Sequence, residues 1–231
     1  MHKFKEEGNI IKDVIHGGLD GIITTFAIVS GVVGASLGAS VVLIIGCANL
    51  ISHGLAIAIS YYLGTEAENK YNEAERKNTQ KKLLGHFEQT EKELERYYTK
   101  HHYTKKEAEQ IVHTLAKHKQ VLAQTVMDED YHLENTRVSP FKTAIATFLS
   151  FVFFGFIPLF SYLLELSPLF FALDSFIVAA SLTGATIFGL GTFKAAVTDK
   201  HWLRSGLEVL ILGGIAASLA FLVGSTLSHF A

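Results

Sequence analysis

Five apolar stretches dominate this sequence, and each is long enough to cross a lipid bilayer as a helix. A transmembrane helix needs about 20 predominantly apolar residues. The stretches are approximately residues 14–37, 40–63, 141–164, 172–197 and 202–227. Because hydrocarbon offers the backbone no hydrogen-bond partners, segments of this kind span the membrane as helices. The sequence therefore predicts an all-α membrane protein with five transmembrane helices.

The charged residues are concentrated in one segment between the second and third apolar stretches. Residues 65–138 contain 14 of the 22 acidic and 13 of the 20 basic residues. This distribution predicts three parts: residues 1–64 with the first two spans, a soluble insert at 65–138, and residues 139–231 with the last three spans. Because the formal net charge is only −2, no basic surface indicates nucleic-acid binding.

The insert contains three helix-like stretches. The first covers residues 66–98 and is interrupted only by Gly85. The second begins after Thr104, which forms a potential capping box with Glu107. The third covers residues 113–133. We therefore predict a three-helix insert between transmembrane helices 2 and 3.

Lysine and arginine lie near only some of the span ends. They occur in the first twelve residues, in the insert, and at the joint between the fourth and fifth spans. Because cytoplasmic loops carry an excess of these residues, we expect the N-terminus and the insert in the cytoplasm. The membrane itself is left open, as either a vacuole-like organelle or a bacterial plasma membrane.

An aspartate, Asp20, lies within the first apolar stretch. A carboxylate in hydrocarbon is costly, so it indicates a function, although an aspartate at the membrane edge could instead cap the helix. Gly31, Gly34 and Gly38 recur further along the same stretch. Such small residues allow close helix packing, including packing against a second copy of the chain.

The second apolar stretch carries a polar group of its own. Asn49, Ser52 and His53 are spaced i, i+3 and i+4 and so share one helix face. This face could form hydrogen bonds to a neighbouring helix. It could also bind metal, because a neutral imidazole is a good ligand for divalent transition metals.

Carboxylates with ligand-like spacing also occur in the insert. Their oxygens can bind divalent cations, and a nearby thioether adds softness that suits Fe²⁺. The alternative is a solvated helix face with i, i+4 ion pairs. The potential ligands are Glu88, Glu91, Glu95, Met127, Asp130 and Glu134. No phosphate-binding glycine loop or nucleophile motif occurs, so we expect neither an enzyme nor a resident cofactor.

Several segments together resemble the vacuolar iron transporter family of Fe²⁺/Mn²⁺ transporters. They are DGIITTFAIVSGVVGA, ISYYLGTEAENKYNEAER, VMDEDYHLE, GFIPLFSYLL and FGLGTFKAAVTDKHWLRSGLEVLILGGIAASLAFLVG, in the same order and over nearly the full chain. The family has five spans and a cytosolic three-helix insert. The resemblance further implies a homodimer whose transport path lies between the two first spans, with exchange against protons.

The resemblance also implies roles for single residues. Asp20 matches the family's first-span aspartate in the metal path. The family's second-span glutamate, and the methionine eight residues later, are replaced here by Asn49 and Ile57. His53, one turn from Asn49, is a substitute ligand and proton carrier. In the insert, the six residues named above are the nearest equivalents of the family's metal ligands.

The predicted function is a secondary transporter that exports Fe²⁺ or Mn²⁺ from the cytoplasm by proton antiport. The metal is the substrate, and the lipid bilayer and a second copy of the chain are the expected partners. Two alternatives remain open: a metal-responsive membrane sensor or scaffold whose path does not conduct, and a transporter of a different divalent cation. The replacements at Asn49 and Ile57 separate these hypotheses, because metal export requires other residues to take over their roles.

Overall fold

The computed structural model describes residues 2–129, 138–165, 174–198 and 201–230. Within these ranges the chain forms eight helices and no strand. The helices are α1 His2–Gly34, α2 Ala39–Gly85, α3 Phe87–Lys100, α4 Lys105–Ala116, α5 Lys119–Glu129, α6 Pro140–Glu165, α7 Ser175–Thr198 and α8 Trp202–Leu227. Five of them, α1, α2, α6, α7 and α8, are long and apolar enough to cross a membrane. The predicted all-α fold with five spans is confirmed.

The chain divides into two compact units. The membrane unit comprises Met1–Gly64 and Ser139–Ala231, and the insert unit comprises Thr65–Val138. Helix α2 is continuous from Ala39 to Gly85 and therefore contributes residues to both units.

Helix α1 lies at the centre of the membrane unit, where it packs against α6, α7 and α8. Half of its apolar stretch is buried, compared with 22% for α8. Glycines allow the close approach to α6: a Cβ atom on Gly17 would lie 2.6 Å from the backbone oxygen of Thr147, and one on Gly21 would collide with the backbone of Phe151. These contacts fix which faces of α1 are covered.

The glycines in the second half of α1 face another helix of the same chain. A Cβ atom on Gly31 would contact Ala220 of α8, and one on Gly34 would collide with the backbone of Phe221. Gly38 has open space around it. The expectation that this stripe packs against a second copy is therefore wrong for Gly31 and Gly34, because α8 already occupies that face.

The turn between α1 and α2 depends on a residue with positive φ. The amide of Leu37 donates to Val32 and that of Ser36 donates to Val33, the bonding pattern of a Schellman motif. Ser36 occupies the left-handed position with φ 57°, although glycine is the usual residue there. This motif ends α1 and allows α2 to start at Ala39.

The insert unit has an apolar core drawn from the end of α2 and from α3, α4 and α5. Its buried members are Leu83, Leu94, Val112, Leu122, Ala123, Val126 and Met127. Two predicted helix boundaries were wrong. The predicted helix at 66–98 is broken after Gly85, consistent with the low helix propensity of glycine. The predicted third helix starts at Lys119 rather than His113, since His113 belongs to α4.

The capping box at the start of α4 is confirmed. The backbone amide of Thr104 donates to Oε2 of Glu107 at 2.8 Å, and the amide of Glu107 donates to Oγ1 of Thr104 at 3.4 Å. The two side chains thereby satisfy free backbone donors at the helix N-terminus. The hydroxyl and amide of Thr104 also hold the pKa of Glu107 below its usual range.

Candidate functional site

Polar side chains from α1 and α2 meet inside the membrane unit. The carboxylate Oδ2 of Asp20 lies 3.6 Å from Nε2 of His53, with 33% of the Asp20 side chain and 45% of the His53 side chain exposed. The His53 ring also packs on Phe151 of α6, with the ring centroids 5.3 Å apart. The structure thus brings together two of the predicted site residues, from different helices, at a position that the rest of the chain leaves partly uncovered.

The backbone around Asp20 is held by its own helix. The Thr24 hydroxyl donates to the Asp20 carbonyl at 2.7 Å, whereas Thr25 is fully buried with its hydroxyl unpaired. Asp20 lies four residues after His16 and well inside the helix that starts at His2. It therefore does not cap the N-terminus of α1, and the capping interpretation is wrong.

The distance between Asp20 and His53 suits two different occupants. Two ligand atoms that each lie about 2.1 Å from one ion, at a tetrahedral angle, are about 3.4 Å apart. The observed 3.6 Å is close to that separation. When the imidazole is protonated, the same distance is that of a direct ion pair. The pair can therefore hold either a divalent cation or a proton.

Asn49 and Ile57 occupy the turns before and after His53. The Nδ2 atom of Asn49 is buried and has no hydrogen-bond partner, and such an unpaired group costs about 1–3 kcal/mol. Its amide can also present a neutral oxygen. Ile57 packs against the apolar core of the membrane unit and offers no donor atom. Ser52 donates to Ala48 of its own helix at 2.8 Å and not to a neighbouring helix.

Three residues that the sequence analysis did not select also belong to this polar region. The rings of His16 and Tyr61 lie 5.9 Å apart, and Tyr61 is within electrostatic range of both Asp13 and Asp20. Asp13, His16 and Asp20 are spaced i, i+3 and i+7, which places them on one face of α1. That spacing was visible in the sequence, whereas the contribution of Tyr61 depends on how α2 packs.

Four of the six predicted insert ligands lie within the described residues. Glu91 and Glu95 are half-buried on either side of the buried Leu94, and Glu88 is exposed one turn earlier. Met127 is 1% exposed and lies in the apolar core of the insert unit. The predicted ligands Asp130 and Glu134 lie outside the described residues. Among the residues that are described, no three His, Cys, Asp or Glu side chains converge on a common point.

A hydrogen-bonded network fixes α5 against α2 in the insert unit. Arg76 donates from Nη1 to Oδ1 of Asp128 at 3.2 Å and from Nη2 to Oε1 of Gln124 at 3.1 Å. Gln124 in turn donates to Oδ2 of Asp128 at 2.7 Å. The Arg76 side chain is only 15% exposed, whereas its charged partner Asp128 is 40% exposed, so the bonds are charge-assisted but only partly shielded from water. It sets the register of the helix that carries Met127.

Comparison with known proteins gives a consistent result. A family model described as "VIT family" matches residues 11–225. The chain is 36% identical over 222 residues to a vacuolar iron transporter of Plasmodium berghei (strain Anka), covering 93% of this chain and 81% of the relative. It is 32% identical to that of Plasmodium falciparum (isolate 3D7), covering 99% and 88%.

A plant relative shows similar coverage at lower identity. Vacuolar iron transporter 1 of Arabidopsis thaliana is 26% identical over 223 residues, covering 96% of this chain and 88% of the relative. The family match includes α1 and α2, which hold the Asp20–His53 pair, as well as the insert unit and most of α8. This membrane protein of five apolar helices, with its intramembrane carboxylate, therefore belongs to the VIT family.

Proposed function

We propose that this protein exports divalent Fe²⁺ or Mn²⁺ from the cytoplasm in exchange for protons, and that Asp20 and His53 form the exchange site. The observation behind the proposal is the 3.6 Å separation of the carboxylate and the imidazole inside the membrane unit. Iron is the ion named in the relatives' descriptions. Mn²⁺ is included because it accepts the same mixed oxygen and nitrogen ligands.

Competition between the two occupants supplies the coupling. A neutral imidazole donates its lone pair to a metal, whereas a protonated imidazole has no lone pair and repels a cation. The carboxylate stabilises either occupant by its negative charge. Binding of a proton at His53 therefore expels the metal, and binding of the metal expels the proton. Asn49 cannot titrate, so His53 is the residue on this face of α2 that can perform the exchange.

A second copy of the chain would cover the site. Both side chains of the pair are substantially exposed in the single chain, and leaving a charged pair in contact with hydrocarbon is costly. Pairing α1 and α2 with their counterparts in a homodimer would exclude lipid and enclose a polar path. Because α8 covers α1 at Gly31 and Gly34, the dimer contact would use the first half of α1, which carries Asp20.

The insert unit would capture the ion on the cytoplasmic side. This orientation follows from the lysine and arginine residues at the N-terminus, in the insert and between α7 and α8. Glu88, Glu91 and Glu95 lie along one side of α3 and supply oxygen ligands for divalent cations. Their role is to raise the local metal concentration and not to enclose the ion, since no three such groups converge among the described residues.

Flux measurements in proteoliposomes test the proposal. Purified full-length protein is reconstituted, and Fe²⁺ (under reducing conditions), Mn²⁺ and Mg²⁺ uptake is recorded with an imposed pH gradient, with the reversed gradient, and with none. We expect Fe²⁺ and Mn²⁺ uptake that accelerates when the lumen is acidic, together with alkalinisation of the lumen. Protein-free liposomes are the control. Metal uptake at the same rate with and without a pH gradient would overturn antiport. Metal binding without any flux would favour the sensor hypothesis.

A further inference from the structure

A second carboxylate and imidazole lie on α1, closer to its N-terminus than Asp20. Asp13 and His16 are spaced i and i+3 on the same helix face as Asp20, and His16 is close enough to influence the charge on Asp13. Seven residues separate Asp13 from Asp20, a rise of about 10.5 Å along the helix. The polar face of α1 therefore presents two carboxylates, each with an imidazole nearby.

Tyr61 of α2 links the two positions. Its ring lies 5.9 Å from that of His16, and both Asp13 and Asp20 act on it electrostatically. His16 is exposed, and Asp13 and Tyr61 are half-buried. The rest of the chain therefore leaves His16 uncovered, and an ion bound there would lie on the same side of α1 as the exchange site.

We propose that Asp13 and His16 form a second binding site for a divalent transition-metal ion, with Tyr61 as the residue that positions the His16 ring. The cation would occupy this site before it passes along α1 to Asp20 and His53. The step to Asp20 rests on the proposed transport function, whereas the binding of metal at Asp13 and His16 does not.

The chemistry of the pair selects the kind of ion. One carboxylate oxygen with one imidazole nitrogen suits Mn²⁺, Fe²⁺, Co²⁺ and Zn²⁺, whereas Mg²⁺ and Ca²⁺ prefer ligand sets composed entirely of oxygen. Placed ahead of the exchange site, the imidazole of His16 would favour transition metals over the more abundant hard cations. His16, ahead of the exchange site, and His53, within it, would then both discriminate between transition metals and hard cations.

Incomplete coordination suits a site of transit. Among the described residues no three potential ligands converge, so Asp13 and His16 would supply two ligands and water would complete the shell. A transported ion must bind well enough to enter but weakly enough to leave, which favours several moderate sites over one tight site. Two similar pairs, one heptad apart, meet that requirement.

The alternative role for His16 is purely structural, as an aromatic partner of Tyr61. The two roles differ in what they predict for metal spectra. A histidine that only packs on Tyr61 contributes nothing to the spectrum of a bound ion, whereas a ligand adds its nitrogen to that spectrum. Tyr61→Phe keeps the ring that contacts His16, so this variant should leave the nitrogen coupling of His16 unchanged if the Tyr61 ring alone positions the imidazole.

Pulsed EPR with Mn²⁺ as the probe tests the site without any transport. Full-length protein carrying Asp20→Asn and His53→Ala is loaded with Mn²⁺, and the nitrogen coupling of bound imidazole is measured. The same measurement is then made on the triple variant that also carries His16→Gln. We expect a coupling that His16→Gln removes or reduces and that the control His229→Gln leaves intact. Asp13→Asn, added separately, should weaken the same Mn²⁺ site by about 10-fold or more.

An unchanged nitrogen coupling in both the His16→Gln and the Asp13→Asn variants would overturn the proposal. Histidines of the insert unit are common to all variants, so the differences isolate His16. If the wild-type protein shows no metal flux in proteoliposomes, the proposed transport function is rejected, but the EPR evidence for metal binding at Asp13 and His16 is unaffected. If flux is present, His16→Gln should raise the Mn²⁺ concentration for half-maximal uptake about 10-fold and increase inhibition by Mg²⁺. A stacking role predicts neither change.

Discussion

Oδ2 of Asp20 on α1 and Nε2 of His53 on α2 lie 3.6 Å apart, so a carboxylate and an imidazole from two different helices are close enough to interact directly. The two residues are 33 positions apart in the sequence and meet because α1 and α2 both pack on α6. Phe151 of α6 contacts the His53 ring and its backbone faces Gly21, next to Asp20. One residue of α6 thus positions both members of the pair.

Replacement of Asp20 by asparagine tests the carboxylate. Asp20→Asn keeps the shape of the side chain but removes the charge that stabilises a bound cation, so metal flux should fall by more than about 10-fold. The melting temperature should change little, because the side chain is part-exposed. Glu165→Gln, at the end of α6, is the matched control and should retain flux. A folded Asp20→Asn variant that transports at the wild-type rate would reject the assignment.

Replacement of His53 tests proton coupling. Wild-type flux should depend on pH, because proton and metal compete for the imidazole, and His53→Ala should lose that dependence together with most of the rate. Asn49→Glu should restore part of the flux in the His53→Ala background, since it returns a titratable group to the same helix face.

The melting temperature of His53→Ala separates coupling from packing. If His53 only packs on Phe151, the variant will be less stable but will keep the pH response of the wild type. That result would contradict the exchange mechanism. The Asn49→Glu single variant shows whether two titratable groups on α2 are compatible with transport.

The carboxylates of α3 can be tested for metal capture. Triple replacement of Glu88, Glu91 and Glu95 by glutamine should lower the number of Mn²⁺ ions bound by full-length protein whose exchange site is already disabled by Asp20→Asn and His53→Ala, and should leave binding at Asp13 and His16 unchanged. In the parent, binding should weaken as the pH falls, because protons compete for the same oxygens. Calorimetry provides the measurement, and Glu109→Gln on α4 is the control. If the triple variant binds as much Mn²⁺ as its parent, the three glutamates of α3 form only a solvated helix face and do not bind metal.

The transmembrane architecture was predictable because it depends on length and composition. Each span is an uninterrupted apolar run, and hydrocarbon permits few other folds. The helix boundaries in the insert were less predictable. Gly85 has a low helix propensity, but a single glycine does not by itself end a helix; the break after it also allows Leu83 and Leu94 to pack in one core, which local sequence does not encode.

The candidate site was predictable in its members but not in its geometry. The cost of an intramembrane carboxylate indicated Asp20, and helix spacing indicated His53. Their separation depends on the glycine contacts between α1 and α6, whose partners are distant in sequence. Asp13 and His16 share a visible spacing with Asp20, yet Tyr61, which connects them to α2, lies 45 positions after His16 and could be placed only by the fold.

The close contact between α1 and α6 predicts a large effect of a small substitution. In Gly21→Ala the new methyl group would collide with the backbone of Phe151, which cannot move as a side-chain end can. We expect a loss of about 1–3 kcal/mol, measured as a lower melting temperature in detergent, and a disturbed exchange site. Gly189→Ala in α7 is the control: its Cβ atom meets open space, so stability should be unchanged or slightly higher.

The capping box of α4 predicts a local dependence on pH. Hydrogen bonds from the Thr104 hydroxyl and amide place the pKa of Glu107 below its ordinary value of 4.5. The stabilisation from this depressed pKa is therefore fully present above pH 4.5 and is lost as the pH falls through the lower pKa of the folded state. Hydrogen exchange of the Glu107 amide, which donates to Thr104, should show a protection factor that drops over that interval. Glu107→Gln cannot titrate and should show no such drop, whereas Thr104→Ala should lose protection at every pH because the acceptor is gone. Protection that falls equally in wild type and Glu107→Gln would mean that another group controls the start of α4.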